Sequence, residues 1–353
     1  MNPGCRPPFF RIWGWCVALV LAQLLGTGSR LHSAPAQHAT GISASGLAVI
    51  INTADPLSVA IGEYYVRARH IPQVNVVRVR FDFERDELPE GEFLPLQRSI
   101  DKQVGPQVQA YALTWARPYR VGCMSVTSAF AFGFDKKYCA DGCSLTQVSP
   151  YFDAASTRPY DALHIRPTMA IAAKDFQHAK ELIDRGVRAD GTAPHGTAYL
   201  VSTDDLQRNV RTVEYTPAAR VAQDRIGFQV VRGTALENRT DVVFYFIGAA
   251  AVPEIDSNRF LPGAIADHLT SFGGMLTDSA QMSSLRWLEA GATGSYGTVV
   301  EPCNFWSKFP NIAVVMRHYL AGETLIEAYW KSVAMPGQGL FIGEPLAAPF
   351  RDP

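Results

Sequence analysis

The apolar run Val242-Val243-Phe244-Tyr245-Phe246-Ile247 stops at Gly248. A polar loop and a helix-sized segment ending at Gly291 separate it from a second run, Ser295 to Val300, which stops at Glu301-Pro302-Cys303. Short apolar, β-branched and aromatic runs that alternate with helix-sized segments specify a mainly parallel sheet, because each crossover carries the chain back over a face of the sheet. Ligands of such sheets bind beyond the C-terminal strand ends, so the segments after Ile247 and Val300 are the expected working face.

The same alternation runs through the rest of the chain. Leu47 to Ile51 reads as a buried strand, Asp55-Pro56 as an N-cap followed by proline at the first helical position, and Leu57, Ile61, Tyr64, Tyr65 and Ala68 recur at helical spacing before a strand over Val74 to Phe81. A helix over Phe93 to Val108 and a strand over Ala110 to Trp115 follow, then a polar segment from Arg117 to Ser128. From Phe130 to Asp161, turn-formers and two cysteines without periodicity predict an irregular, disulfide-held insertion. Arg166 to Ala173 and Thr197 to Val201 read as strands around a helix that stops near Gly186, and Val221 to Val231 passes from helix to strand. Leu261 to Ser271 reads as part of a loop, with Asp267 capping a helix and His268 packed on Trp287 or Tyr296. Ile312 to Leu320 and Thr324 to Val333 are helices, and Leu340 to Ile342 is a last short strand. The expected fold class is α/β, two side-by-side three-layer αβα lobes with mainly parallel sheets, over residues 46–165 and 166–353.

Arg6 and Arg11 precede the apolar stretch Ile12 to Leu25, and Ala34-Pro35-Ala36 offers a small-x-small cleavage site, so residues 1–36 read as a secretory signal and the protein as secreted or periplasmic. No later stretch is apolar enough to imply a stable membrane span after cleavage. A formal charge of −1 with scattered basic residues excludes the electrostatic footprint of a nucleic-acid binder. Cys123, Cys139, Cys143 and Cys303 remain after cleavage. Export favours disulfides among them, with a small Cys139–Cys143 loop as one arrangement and the connectivity open. Zinc is disfavoured because paired CxxC knuckles are missing, and neither a metal nor a cofactor is expected.

Two resemblances add to this reading. Asn52-Thr53-Ala54-Asp55-Pro56, Tyr64 to Pro72, Thr203-Asp204-Asp205 with Arg208-Asn209-Val210-Arg211, and Ala266 to Gly274 resemble an uncharacterised secreted bacterial family of organisms with exosortase/PEP-CTERM-type protein sorting. The C-terminal third is distantly similar to the gingipain-like cysteine peptidases of caspase-type fold, through Val242 to Ile247, Arg286-Trp287-Leu288 with Gly294 to Val300, and Gly343-Glu344-Pro345-Leu346. That resemblance implies a caspase-like C-terminal lobe. It also implies a His-Gly pair after the first strand and a cysteine after the next, but Gly248-Ala249-Ala250 stands at the first place and Leu276 to Ser279 holds no cysteine. A cysteine peptidase needs a thiolate beside an imidazole, so the inherited mechanism is expected to be absent.

Two functions from different classes remain. One is a non-peptidase descendant of the fold acting as a binding or accessory factor in cell-envelope protein sorting, with an exported protein or peptide segment as partner. Its site would draw on Asp256, Asp267, His268, Glu301 and Cys303, with Arg211 as an anion contact. The other is a divergent cysteine peptidase or transpeptidase in which Cys303 attacks and His268, 35 residues earlier, takes the proton, unless a Cys123–Cys303 disulfide consumes the thiol. Asp256, Asp267, His268 and Asp278 also offer hard ligands for a divalent cation, though without HExxH or EF-hand spacing.

Overall fold

Among the described residues ten strands form one sheet, in the spatial order Val76–Val79, Leu47–Asn52, Ala110–Leu113, Thr168–Ala170, Gly339–Gly343, Gly294–Thr298, Phe260–Leu269, Val242–Gly248, Thr197–Ser202 and Gly227–Arg232. The computed structural model describes residues 41–277 and 279–352, so the signal expected over residues 1–36, and Asp278, lie outside the described residues. β1 (Leu47–Asn52) is buried at every position, and α1 (Pro56–Ala68) starts where the Asp55 carboxylate accepts the Leu57 N–H. β2 (Val76–Val79), α2 (Glu90–Gln103) and β3 (Ala110–Leu113) complete the first parallel strands. A small hairpin of β4 (Arg120–Val121) and β5 (Met124–Ser125), then α3 (Val126–Phe132) and α4 (Pro159–Leu163), fill the segment before β6 (Thr168–Ala170), which pairs with β3.

The second half contains α5 (Phe176–Ala189), β7 (Thr197–Ser202), α6 (Tyr215–Ala222), β8 (Gly227–Arg232), β9 (Val242–Gly248) and β10 (Phe260–Leu269). α7 (Leu285–Glu289), β11 (Gly294–Thr298), α8 (Ile312–Leu320), α9 (Leu325–Ser332) and β12 (Gly339–Gly343) follow. A capping box between Thr324 and Glu327 starts α9. The two halves meet where β12 pairs with β6, parallel, and with β11, antiparallel. All other pairs of the sheet are parallel, so β2, β1, β3, β6 and β12 run one way and β11, β10, β9, β7 and β8 the other, with C-terminal ends on opposite edges of the sheet.

Three local expectations change. Leu261 to Leu269 belongs to a buried strand between β9 and β10's other neighbour β11 rather than to a loop, and Asp267 caps no helix. Pro262 and Gly263 disguise this strand; they lie where its register with β9 shifts between Phe260 and Ile265. α5 runs on to Ala189, with Gly186 inside it because a Cβ there would overlap the Glu344 carboxylate. The cysteines pair Cys123–Cys139 and Cys143–Cys303, so neither the Cys139–Cys143 loop nor a Cys123–Cys303 bridge forms. No helix among the described residues is long and apolar enough to cross a membrane.

Candidate functional site

β7, β9, β10 and β11 run side by side in one direction, so their exits converge on one edge of the sheet. Alternation along β10 decides what reaches it. Tyr245, Ile247, Ala264 and Ala266 point into a core shared with Trp287 of α7, while Phe244, Phe246 and Ile265 point to the opposite face. Asp267 and His268, adjacent in one strand, therefore face opposite layers and cannot hold one ligand.

His268 is fully buried. Its Nδ1 accepts the Trp287 indole N–H at 2.9 Å, and its Nε2 donates to the Met282 carbonyl at 2.9 Å. This arrangement requires the neutral ring with the proton on Nε2 and leaves no lone pair for a substrate. Burial lowers its pKa to about 4, with the Met282 hydrogen bond opposing and Arg211 and Arg208 assisting. Because the folded pKa is depressed, the stability contribution is present above pH 6.5 and is lost as the pH falls towards 4, about 3 kcal/mol in all. Urea midpoints of the wild type and His268→Gln, measured from pH 7 to 4, should therefore converge as the wild type loses this contribution. Parallel curves would mean that His268 charges freely in the folded protein.

On the other face Arg211, buried on the 3₁₀ segment Asn209–Glu214, donates to Asp267 Oδ1 at 2.6 Å, to the Ile247 carbonyl at 3.3 Å and to the Pro310 carbonyl at 3.4 Å. It is a structural cross-brace between three strand exits, not an open anion contact. Burial raises the Asp267 pKa, while Arg211 opposes that shift. Glu214, one turn away, is pushed up to about 7 by burial although it accepts the Ile312 N–H and the Asn311 amide. Asp256 is exposed and pairs with Arg286 at 2.9 Å, and Glu301 is exposed and accepts the Cys303 N–H at 2.7 Å. Of the expected ligand set, Arg211 meets Asp267 and Glu301 meets Cys303, but the two pairs do not form one site with His268 or Asp256. The cation site fails for the same geometric reason, and among the described residues no cluster of three acidic, histidine or cysteine side chains could hold a metal.

The proposed dyad is not assembled either. Cys303 is bonded to Cys143, and the His268 nitrogens are both engaged in the core. The groups that organise this edge lie partly in the charged stretch Asp204 to Arg211 that follows β7. Thr203 Oγ1 donates to the Gly248 carbonyl at 2.8 Å, and Arg208 bridges Asp205 at 2.8 Å and the Thr270 hydroxyl at 3.2 Å. Thr270 in turn donates to Gln281 at 2.9 Å. The charged cluster after β7 was visible in the sequence; its partners, scattered over three loops, were not. Lys308 was also missed. It sits after β11 with its Nζ buried and without a hydrogen-bond partner, 5.2 Å from the Phe305 ring centre, and burial lowers its pKa to about 8 against the pull of Glu301.

No protein-family model matches the sequence, and no curated protein does. Among solved structures, the Arg-specific cysteine proteinase gingipain R matches with a TM-score of 0.53 at 7% identity, over 88% of this chain and 80% of that chain. The complex of Porphyromonas gingivalis RgpB pro- and mature domains matches at 0.48 and 9% identity over 86% and 79%, and a structure described as a protease at 0.49 and 10% over 88% and 79%. The chain thus has a mixed α/β fold like that of gingipain R, and the likeness is one of fold alone.

Gly248 ends β9 and opens the Gly248-Ala249-Ala250 stretch. A Cβ at Gly248 would overlap the Arg208 carbonyl and lie 2.8 Å from the Asn209 nitrogen. The exit of β9 is closed at this residue by backbone.

Proposed function

We propose that this protein is an exported, non-peptidase descendant of the gingipain-like fold that acts as a binding or accessory factor in cell-envelope protein sorting, with an exported protein or peptide segment as its partner. The observation that carries the reading is the exit of β9, where Gly248-Ala249-Ala250 offers no imidazole and the Arg208 backbone closes the space at Gly248. The cysteines reinforce it, since all four among the described residues are in disulfides and none offers a thiolate. Two disulfides also favour an oxidising compartment. Binding at the strand-end edge is the role left to a surface whose histidine and cysteine are engaged.

Alkylation of the native, non-reduced protein with iodoacetamide tests the reading, with mass spectrometry to locate adducts. No adduct is expected on Cys303, and no cleavage of a peptide library. A Cys303 adduct together with turnover that disappears in Cys303→Ser would establish the peptidase instead.

A further inference from the structure

Three charged side chains are sealed beneath the exit of β9, and their charges do not cancel. Arg211, Glu214 and Asp267 are 3%, 3% and 1% exposed, and the two carboxylates act on one guanidinium. The elements packed around them contribute phenols, amides and carbonyls. These are Tyr215 at the start of α6, Phe246 and the Ile247 carbonyl of β9, Tyr296 of β11, Asn311 and the Ile312 N–H at the start of α8, and Tyr329 of α9. Burial raises all three phenols above their ordinary range, Tyr215 to about 12, so they stay neutral. Arg208 is paired with Asp205, and His268 on the other face of β10 is neutral.

An uncancelled charge in the interior costs several kcal/mol, and the usual remedy is that the group takes up a proton. The charges balance here only when one of the two carboxylates is protonated. Burial pushes Glu214 up to about 7, with Asp267 assisting and the Ile312 N–H and Arg211 opposing. Asp267 is itself only half served: Arg211 reaches its Oδ1, while its buried Oδ2 has no hydrogen-bond partner.

The same cluster fastens the backbone that closes β9. Arg208 and Asn209, which meet Gly248, open the 3₁₀ segment that ends at Glu214. Arg211 ties this segment to the Ile247 and Pro310 carbonyls, and Glu214 ties it to α8 through the Ile312 N–H at 2.8 Å and the Asn311 amide at 3.1 Å.

We propose that Arg211, Asp267 and Glu214 form a proton lock on residues 208–214: with one proton bound, the segment lies closed over the exit of β9, and on losing it above neutral pH the segment loosens. Once both carboxylates are ionised they compete for Arg211, whose bonds to the Ile247 and Pro310 carbonyls, 3.3 and 3.4 Å long, are the ones that give way. The folded pKa of Glu214 is raised above the unfolded value of 4.5. Its stabilising contribution is therefore complete below pH 4.5 and is lost as the pH rises through about 7. The lock operates whether or not the edge binds a partner, since it lies in the interior.

Glu214→Gln carries no charge at any pH and keeps an acceptor for the Ile312 N–H, so it isolates the proton. Urea unfolding of the mature wild type and this variant, compared at each pH from about 5 to about 8, cancels His268 and every other shared group. Relative to the variant, the wild type should lose up to about a hundredfold in its folding equilibrium over that range. Amide hydrogen exchange of residues 208–214, corrected for its intrinsic pH dependence, should accelerate in the wild type only. Infrared difference spectra of the wild type should show a protonated-carboxyl band that disappears as the pH passes about 7. Asp267→Asn leaves Arg211 to Glu214 alone and should move that disappearance to lower pH, which decides the matter if Glu214→Gln does not fold. A stability difference that is constant with pH, exchange that follows the variant, no titrating carboxyl band, or a band unmoved in Asp267→Asn overturns the proposal.

Discussion

Replacing Glu344 by alanine is expected to cost about 3–5 kcal/mol, the usual loss when one partner of a buried ion pair is removed, and to lower the melting temperature by roughly 10 °C. The carboxylate is fully buried. Its Oε1 accepts the Tyr65 hydroxyl at 2.7 Å, the Arg69 Nε–H at 3.0 Å and the Leu346 N–H at 3.2 Å, while its Oε2 pairs with Arg69 Nη2. Arg69 also pairs with Asp190, just past α5, so one carboxylate joins α1, the end of α5 and the segment after β12. Burial keeps the Tyr65 phenol protonated far above its usual range, and the neighbouring Glu344 charge adds to this. Alanine would strand the Arg69 guanidinium in the interior, whereas Glu344→Gln keeps two acceptor contacts and should cost less than half as much. A loss under about 1 kcal/mol for the alanine variant, read from urea unfolding, would show that water or another carboxylate takes over, and the clamp would lose its importance.

Gly248→Ala should already destabilise by about 1–3 kcal/mol, and Gly248→His by more, because the collision begins at Cβ and is with backbone. The opposing chain is not free to retreat. Asn209 is held by its amide to Ser202 at 3.1 Å and to the Thr203 carbonyl at 2.8 Å, and Arg208 by Asp205 and Thr270. A graded series measures how firmly the exit of β9 is closed. If alanine is neutral in thermal unfolding, the loop yields easily and the exit of β9 is open to a side chain at this residue.

The fold was legible where periodicity and punctuation agreed. Asp55-Pro56 announced α1, Ile312 to Leu320 announced α8 to the residue, and the run from Val242 to Ile247 announced β9. β10 was not legible. The expected packing of His268 on Trp287 holds, but the sequence does not show that Asp267 beside it is buried too, against Arg211 on the other face. The candidate site was misjudged for the same reason. Neighbours in sequence were grouped as one site, although neighbours in a strand point to opposite layers.

What the chain determined by itself is the α/β class, the parallel order of runs and crossovers, and the missing histidine and cysteine, because these are local or compositional properties that survive in one dimension. The tertiary structure decided that Cys303 bonds to Cys143 across 160 residues and that Gly248 faces the Arg208 backbone. It also decided that both ring nitrogens of His268 are engaged, by Trp287 and Met282, and that β8 ends the sheet among the described residues. Each of these depends on which distant segments meet. Hydrophobic burial drives that meeting without regard to direction, and it is the hydrogen bonds and close contacts made afterwards that assign each polar side chain its partner.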